Sequence, residues 1–473
     1  MKPVIGKSIF LGCMVACMLF TLLGCPTEPQ IYSVTFHTNG GSTVDAQSVQ
    51  ESGKATRPAV NPTKPGYSFD NWYAESTFNT VWNFNTPITG NKTLYAKWKL
   101  VIEDRSQLES MIANGEDVTT VDTSEITDMN ELFKENTTFN QDISRWDVSN
   151  VTNMRSMFEG ATAFNQDISD WDVSSVTDMS RLFCRATAFN QDLSEWDVSN
   201  VTNMGFMFAR ASSFNSVLSD WDVSNVMNME YMFSNTQFFN TDISTWNVSK
   251  VRDMRSMFYG ASSFNQNLSD WVVSSVTNMG SMFYFASAFN GNISGWDVSS
   301  VTDMNSMFAS ATSFNQNLLH WDVSNVTNMS TMFYNASAFN GDISGWDVSS
   351  VTDMNSMFAW ATSFNQNLSD WVVSSVTNMG SMFYFASAFN GDISAWNVSS
   401  VEYMHNMFND ASLFNQDISG WDVSSVINMD RMFCNASIFD QQLGGWDVSN
   451  VSYHFEFSLN SALSTGHLPN WVL

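Results

Sequence analysis

Residues Ile143–Asp167 read ISRWDVSNVTNMRSMFEGATAFNQD, and close variants of that string recur every 25 residues without interruption. Trp146, Trp171, Trp196, Trp221, Trp246, Trp271, Trp296, Trp321, Trp346, Trp371, Trp396, Trp421, Trp446 and Trp471 keep that one interval throughout. A fixed period of this size is the mark of a solenoid, in which no unit buries its apolar face alone. The tryptophans never vary, so they are expected to form a core spine, one ring per coil.

Within a coil, Met154, Met157, Phe158 and Ala161 fall at i, i+3, i+4 and i+7, the spacing of one face of a short helix. Ile168, Trp171 and Val173 read as an extended segment, and Val176 opens a second. The expected fold class is therefore an α/β solenoid, leucine-rich-repeat-like, with one short strand region and one short helix per coil. Packed helices are wider than paired strands, so such a coil would bend with its strand side inward. The asparagine column Asn140, Asn165, Asn190 and onward to Asn415 is expected to satisfy backbone groups at one turn. The serine column from Ser149 to Ser449 is expected to do the same at another.

Residues 101–128 read as an N-terminal cap, 129–450 as the array and 451–473 as a degenerate closing coil. In that last coil His454 and Ser458 stand where Met and Phe belong. Residues 31–100 have a different texture, with prolines at 58, 62, 65 and 87 and no 25-residue period. Val34 and Phe36 lead into an Asn39-Gly40-Gly41 turn, a hairpin signal. Tyr67–Tyr73, Val81–Phe84 and Thr93–Trp98 are further strand candidates. The strings VTFHTNGG, KPGYSFDNWY and TLYAKW resemble the Listeria–Bacteroides repeat, which implies a small β-grasp-like β module used as a stalk or spacer.

At the N-terminus two lysines precede an apolar run, Ile9–Leu23, too short for a comfortable membrane span. Residues 1–24 read as a signal peptide. Leu22-Leu23-Gly24-Cys25 resembles the bacterial lipobox, which implies lipidation of Cys25, a tether over 25–30 and a lipid-anchored cell-surface location. Cys184 and Cys434 occupy one repeat position ten periods apart; at ~4.8 Å per coil they lie roughly 48 Å from each other, beyond disulfide reach.

The pattern MFxxAxxFNQDISxWDVSxVTNM closely resembles the BspA-like leucine-rich repeat surface proteins, in the subfamily first noted in mycoplasmas. That resemblance implies surface exposure and binding of host or extracellular proteins, and it supplies no binding residues.

The formal net charge of −28 argues against nucleic acid and anionic membrane as partners. His37, His320, His405, His454 and His467 share no evident site with a nucleophile, so neither an enzyme nor a cofactor is expected. Three columns are candidates for function. Asp142, Asp167, Asp192, Asp242, Asp342, Asp392 and Asp417 form an acidic row, with a second at Asp147 and its equivalents. Calcium between coils would relieve their repulsion, but no glycine-rich loop accompanies the rows, and no metal site is assigned. Tyr259, Tyr284, Phe285, Tyr334, Trp360, Tyr384 and Phe385 form an aromatic column, read either as a recognition patch or as packing between coils. The variable residue before each Trp (Arg145, Asp170, Glu195, Asp220, Asp270 and His320 among them) is expected to be solvent-exposed and available to a ligand. An adhesin-like surface protein is the leading expectation. A structural or antigenically variable coat without a ligand, or glycan binding by the aromatic patch, is the alternative. Basic residues of the array run from Arg105 to Arg255, after which only Arg431 follows, and residues 263–291 are repeated letter for letter at 363–391.

Overall fold

The computed structural model describes residues 28–471; the leader, Cys25 and the start of the tether lie outside the described residues. The chain divides into two compact units, residues 1–101 and 102–473.

In the first unit, β1 (Ile31–His37), β2 (Gln47–Gln50), β3 (Tyr67–Tyr73) and β4 (Lys92–Val101) lie in the order β2-β1-β4-β3. β1 runs antiparallel to β2 and parallel to β4, and β3 runs antiparallel to β4. Alternation in β1 turns Val34 and Phe36 inward, where they meet Trp72, Leu94 and Ala96 in one buried cluster. Phe36 meets the Trp72 ring edge-on at 4.8 Å. Trp98 donates its indole N–H to the Thr38 carbonyl at 2.9 Å. A Cβ on Gly41 would lie 2.3 Å from the Trp98 ring, which explains the second glycine of the turn. Val81–Phe84 is not a strand: only a single bridge, Tyr73 to Val81, forms there.

The second unit opens with α1 (Arg105–Ala113), the expected polar cap, whose Asp104 accepts from the Gln107 N–H. The coils that follow contain neither the expected helix nor the expected strands. Met157, Glu159 and Ala161 donate their N–H groups back to the carbonyls of Met154, Ser156 and Phe158, three residues earlier, at 3.0–3.1 Å. Between them, Met154, Ser156, Phe158 and Gly160 donate to Asp178, Ser180, Leu182 and Cys184 of the next coil, at 2.7–3.0 Å. Alternate N–H groups thus close turns and cross-link coils. A two-turn helix would leave its first four N–H groups without an internal partner and is marginal by itself; the stacked turns give alternate N–H groups to neighbouring coils. The arrangement places left-handed residues at Ser156 (φ 54°) and Gly160 (φ 71°) and at their equivalents in every coil, as the third position of a type II turn requires. The extended segment is likewise reduced to one parallel bridge per coil, from Asp128–Asn153 to Asn428–Tyr453. A bend derived from unequal helix and strand widths therefore has no basis.

Inside the coil the side chains stack in columns. Phe158 lies 4.0 Å from Phe164 within its coil and 5.5 Å from Phe183 in the next, nearly parallel in both cases. Tryptophans are 2–4% exposed from Trp146 to Trp446. Each donates its indole N–H to a carbonyl of the preceding coil, for example Trp221 to Leu193 at 2.8 Å. The expected spine is present. The array ends where Phe457 meets Phe433 edge-on and Trp471 stacks on His454 at 4.3 Å.

Polar columns hold the corners. Asn140 accepts the Asn165 N–H at 3.0 Å, Asn165 accepts that of Asn190 at 2.9 Å, and the ladder continues to Asn415 and Asp440. The serine column works the other way from expectation. Asp147 accepts both the N–H and the hydroxyl of Ser149, at 3.1 and 2.7 Å. Serine is the donor, and the carboxylate holds the turn.

Candidate functional site

The Asx turns account for the acidic rows. Asp167 accepts from the Ser169 N–H and hydroxyl at 3.0 and 2.7 Å, and Asn292 accepts from Ser294 in the same way. Asp and Asn are interchangeable there because either supplies the accepting oxygen. Among the described residues no three His, Cys, Asp or Glu side chains gather as a metal site. The donated bonds hold Asp142, Asp167, Asp172, Asp242, Asp392 and Asp417, among others, below the ordinary value of 3.8: for Asp172 the Ser174 hydroxyl matters most, for Asp167 the Ser169 N–H. Folded-state values below unfolded ones mean stability is present above pH 3.8 and is lost as pH falls through the lowered values. The melting temperature is therefore expected to fall steeply below about pH 4 as successive Asx turns protonate. An unchanged melting temperature from pH 5 to 3 would show that the carboxylates add nothing beyond asparagine.

Arg145, Asp170, Glu195, Asp220, Asp270 and His320 are all exposed, each in the turn that precedes its tryptophan. Asp270 lines a cavity of about 440 Å³ with Thr245, its equivalent one coil earlier, and with no strand side in the coil the column lines no concave sheet.

The surface over the left-handed turns is different. Its three columns contain residues 156, 159 and 160 and their equivalents at 25-residue steps. A left-handed residue is best supplied by Gly or Asn, and bulky residues there are strained. Gly160, Asn235, Gly260 and Asn335 obey this preference, yet Phe285 (φ 58°), Trp360 (φ 63°) and Phe385 (φ 56°) do not. Trp360 stacks on Phe385 at 4.0 Å, and Tyr384 meets both rings nearly at right angles. Tyr284 lies 4.4 Å from Phe285 and 5.0 Å from Tyr259. Two aromatic knots result. Tyr334 lies between them, close enough to help raise the phenol pKa of Tyr284 and Tyr384, an effect due first to their desolvation. The rings pack between coils, and Phe285 remains 48% exposed.

The same face continues toward the N-terminal coils as a cavity of about 620 Å³, which the sequence reading missed. Arg181, Arg185, Phe206, Arg210, Tyr231 and Tyr259 line it, with Glu159, Ser234 and Asn235. The Arg181 guanidinium carbon lies over the Phe206 ring, 4.1 Å from its centroid, and Phe206 stacks on Tyr231 at 4.5 Å. Arg185 is paired with Glu135 and Glu159. Cys184 sits beneath, its thiol pushed up to about 11 by burial, which leaves it unreactive. The available signal was columnar: Arg181, Phe206 and Tyr231 stand 25 residues apart, and only stacking coils makes them neighbours.

Comparison with known proteins matches the repeats to a family. Residues 105–216, 191–296, 268–371 and 361–471 each match the mycoplasma protein family of unknown function DUF285. The chain belongs to the DUF285 family. Residues 32–97 match the Listeria–Bacteroides repeat domain. Two proteins of Evansella cellulosilytica are also similar. One, named "Putative Gly-rich membrane protein", is 40% identical over 70 residues, covering 15% of this chain and 8% of its own length. The other, named "Putative membrane protein", is 39% identical over 74 residues, covering 15% of this chain and 11% of its own. The matched segments are thus a small part of either relative. In the DUF285 chain, no helix among the described residues is long and apolar enough to cross a membrane.

Proposed function

We propose that the chain is a bacterial surface lipoprotein, anchored through Cys25, whose array binds a host or other extracellular protein through the aromatic face. The reading accords with the likeness of the repeats to BspA-like surface proteins. The observation that carries it is the placement of Phe285, Trp360 and Phe385 at left-handed turn positions. The turn geometry itself does not call for a bulky ring, and a left-handed L residue costs about 1–2 kcal/mol. Aromatic clusters of this kind dominate binding energy at protein interfaces.

The test uses the full chain against extracellular-matrix proteins. Replacing Trp360, Tyr384 and Phe385 together by Ala is expected to weaken capture by roughly 30-fold or more, the loss of at least about 2 kcal/mol. The melting temperature should move little, because the rings lie outside the Phe and Trp columns. A large thermal loss with unchanged capture would assign the rings to packing alone. No saturable capture of any matrix protein would favour a coat without a specific ligand.

A further inference from the structure

We infer that the cavity over coils 159–259 is a separate binding site for an acidic sugar, with its carboxylate held by Arg181 and Arg210. This does not rest on the protein-binding role of the aromatic knots.

The charge distribution argues first. In a chain of net charge −28, carboxylates are plentiful, and several cations of the array are paired with them. Arg185 has Glu135 and Glu159, Arg255 has Glu230, Lys134 has Glu131, and Arg431 has Glu456. Arg181 and Arg210 line the cavity and form no ion pair among the described residues. Arg181 is held in place by its stack on Phe206 and, behind it, Tyr231, so little side-chain freedom is lost on binding. Both arginines, like Phe206 and Tyr231, occupy left-handed positions (φ 53–60°), which in neighbouring coils are filled by residues as small as Ser256 and Gly260.

Next, the spare charge limits the ligand. Two unpaired guanidiniums suit one carboxylate, which a guanidinium fork can bind in bidentate fashion. Polyanions are repelled by the rest of the molecule. An anionic group on an otherwise neutral molecule is therefore favoured over a polysulfate or a nucleic acid.

The walls then distinguish a sugar from a peptide. At about 620 Å³ the cavity has the size of a small-molecule site, ~300–1,000 Å³. Ser234, Asn235, Tyr231 and Tyr259 line it, and their side chains carry groups that both donate and accept, as sugar hydroxyls require. An extended peptide needs free backbone groups to pair with. Here the N–H groups of Met204, Phe206, Phe208 and Arg210 are already given to the next coil's carbonyls, at 2.6–3.0 Å.

The experiment titrates the full chain calorimetrically with 3′-sialyllactose, methyl β-glucuronide, lactose and a hexa-aspartate peptide. Saturable binding is expected for at least one acidic sugar, with lactose and the peptide weaker by about tenfold or more. The double variant R181Q/R210Q should lose about tenfold or more in affinity for that sugar. R155Q, at an exposed position outside the cavity, should bind as the parent does. Circular dichroism and the melting temperature confirm that both variants are folded. Binding of lactose or the peptide as tight as that of the acidic sugars overturns the inference. So does full affinity in R181Q/R210Q, or the absence of binding by both acidic sugars.

Discussion

Phe283→Ala is expected to cost about 3–5 kcal/mol, the range for emptying a fully buried aromatic site. Phe283 is 0% exposed and touches rings in three coils. Phe289 lies at 3.9 Å, Phe258 at 5.5 Å, Phe308 at 5.7 Å and Trp296 at 6.5 Å. The hole cannot close easily, because its neighbours are pinned by backbone bonds on both sides: Phe258 N–H to the Met282 carbonyl, and Phe283 N–H to that of Met307. Coils contact only their neighbours, so the damage should stay local and divide the array into two stable blocks. Hydrogen exchange is the measurement: amides of residues 258–308 should lose protection while those near 150 and 420 keep theirs. Phe285→Ala, two residues away but 48% exposed, should cost about 1 kcal/mol or less. Equal losses for the two would refute a stability carried by the inner ring columns.

What was legible in the sequence follows from which interactions repeat with the period. The Trp column, the paired Phe columns and the asparagine ladder all connect a residue with its equivalent one coil away, so a column of identical letters already implies the contact. The helix was misread for a physical reason. Consecutive turns that advance by i to i+3 bring Met154, Met157, Phe158 and Ala161 to the same side, much as a helix does. The discriminating letters were Gly160 and Gly260, which mark a left-handed position, but substitution by Arg, Asn, Ser and Trp elsewhere in that column obscured them. The serine column is unbroken while the Asp147 column changes to Asn247 and Asn397 and is interrupted by Val272 and Val372, so constancy points to Ser149, and letters alone do not say which side chain accepts. The cavity was hidden because its pieces vary. Arg181, Phe206 and Tyr231 share one column without sharing a chemistry, and a search for constant letters passes over them. The aromatic column was legible as a set of residues, though its division into two knots was not.

Deleting residues 263–287 is expected to leave a folded array, whereas deleting Val276 alone should cost on the order of 5 kcal/mol. The larger deletion removes one whole period and joins Ser262 to Ala288. Asn290 then inherits the Asn240 side-chain oxygen that accepts from Asn265, and the Met254 N–H finds the Asp303 carbonyl in place of Asn278. Every column is restored, and only one coil and one neighbour interface are lost. Removing Val276 shifts each later residue of its coil by one. Thr277 then enters a core position, and Met279, Met282 and Phe283, all 0% exposed, leave their seats. The alternation of N–H groups is inverted too: donors that close turns face the next coil, and those that linked coils face inward. Thermal unfolding with hydrogen exchange distinguishes the two deletions. Comparable damage from both would mean that coils are not interchangeable units. The repetition of 263–291 at 363–391 is what this arrangement permits, since the chain can change length only by whole coils. The 25-residue deletion also removes Tyr284 and Phe285 while sparing Trp360, Tyr384 and Phe385. It should therefore reduce capture by the aromatic face without abolishing it, and so separate the contribution of one knot from that of the other.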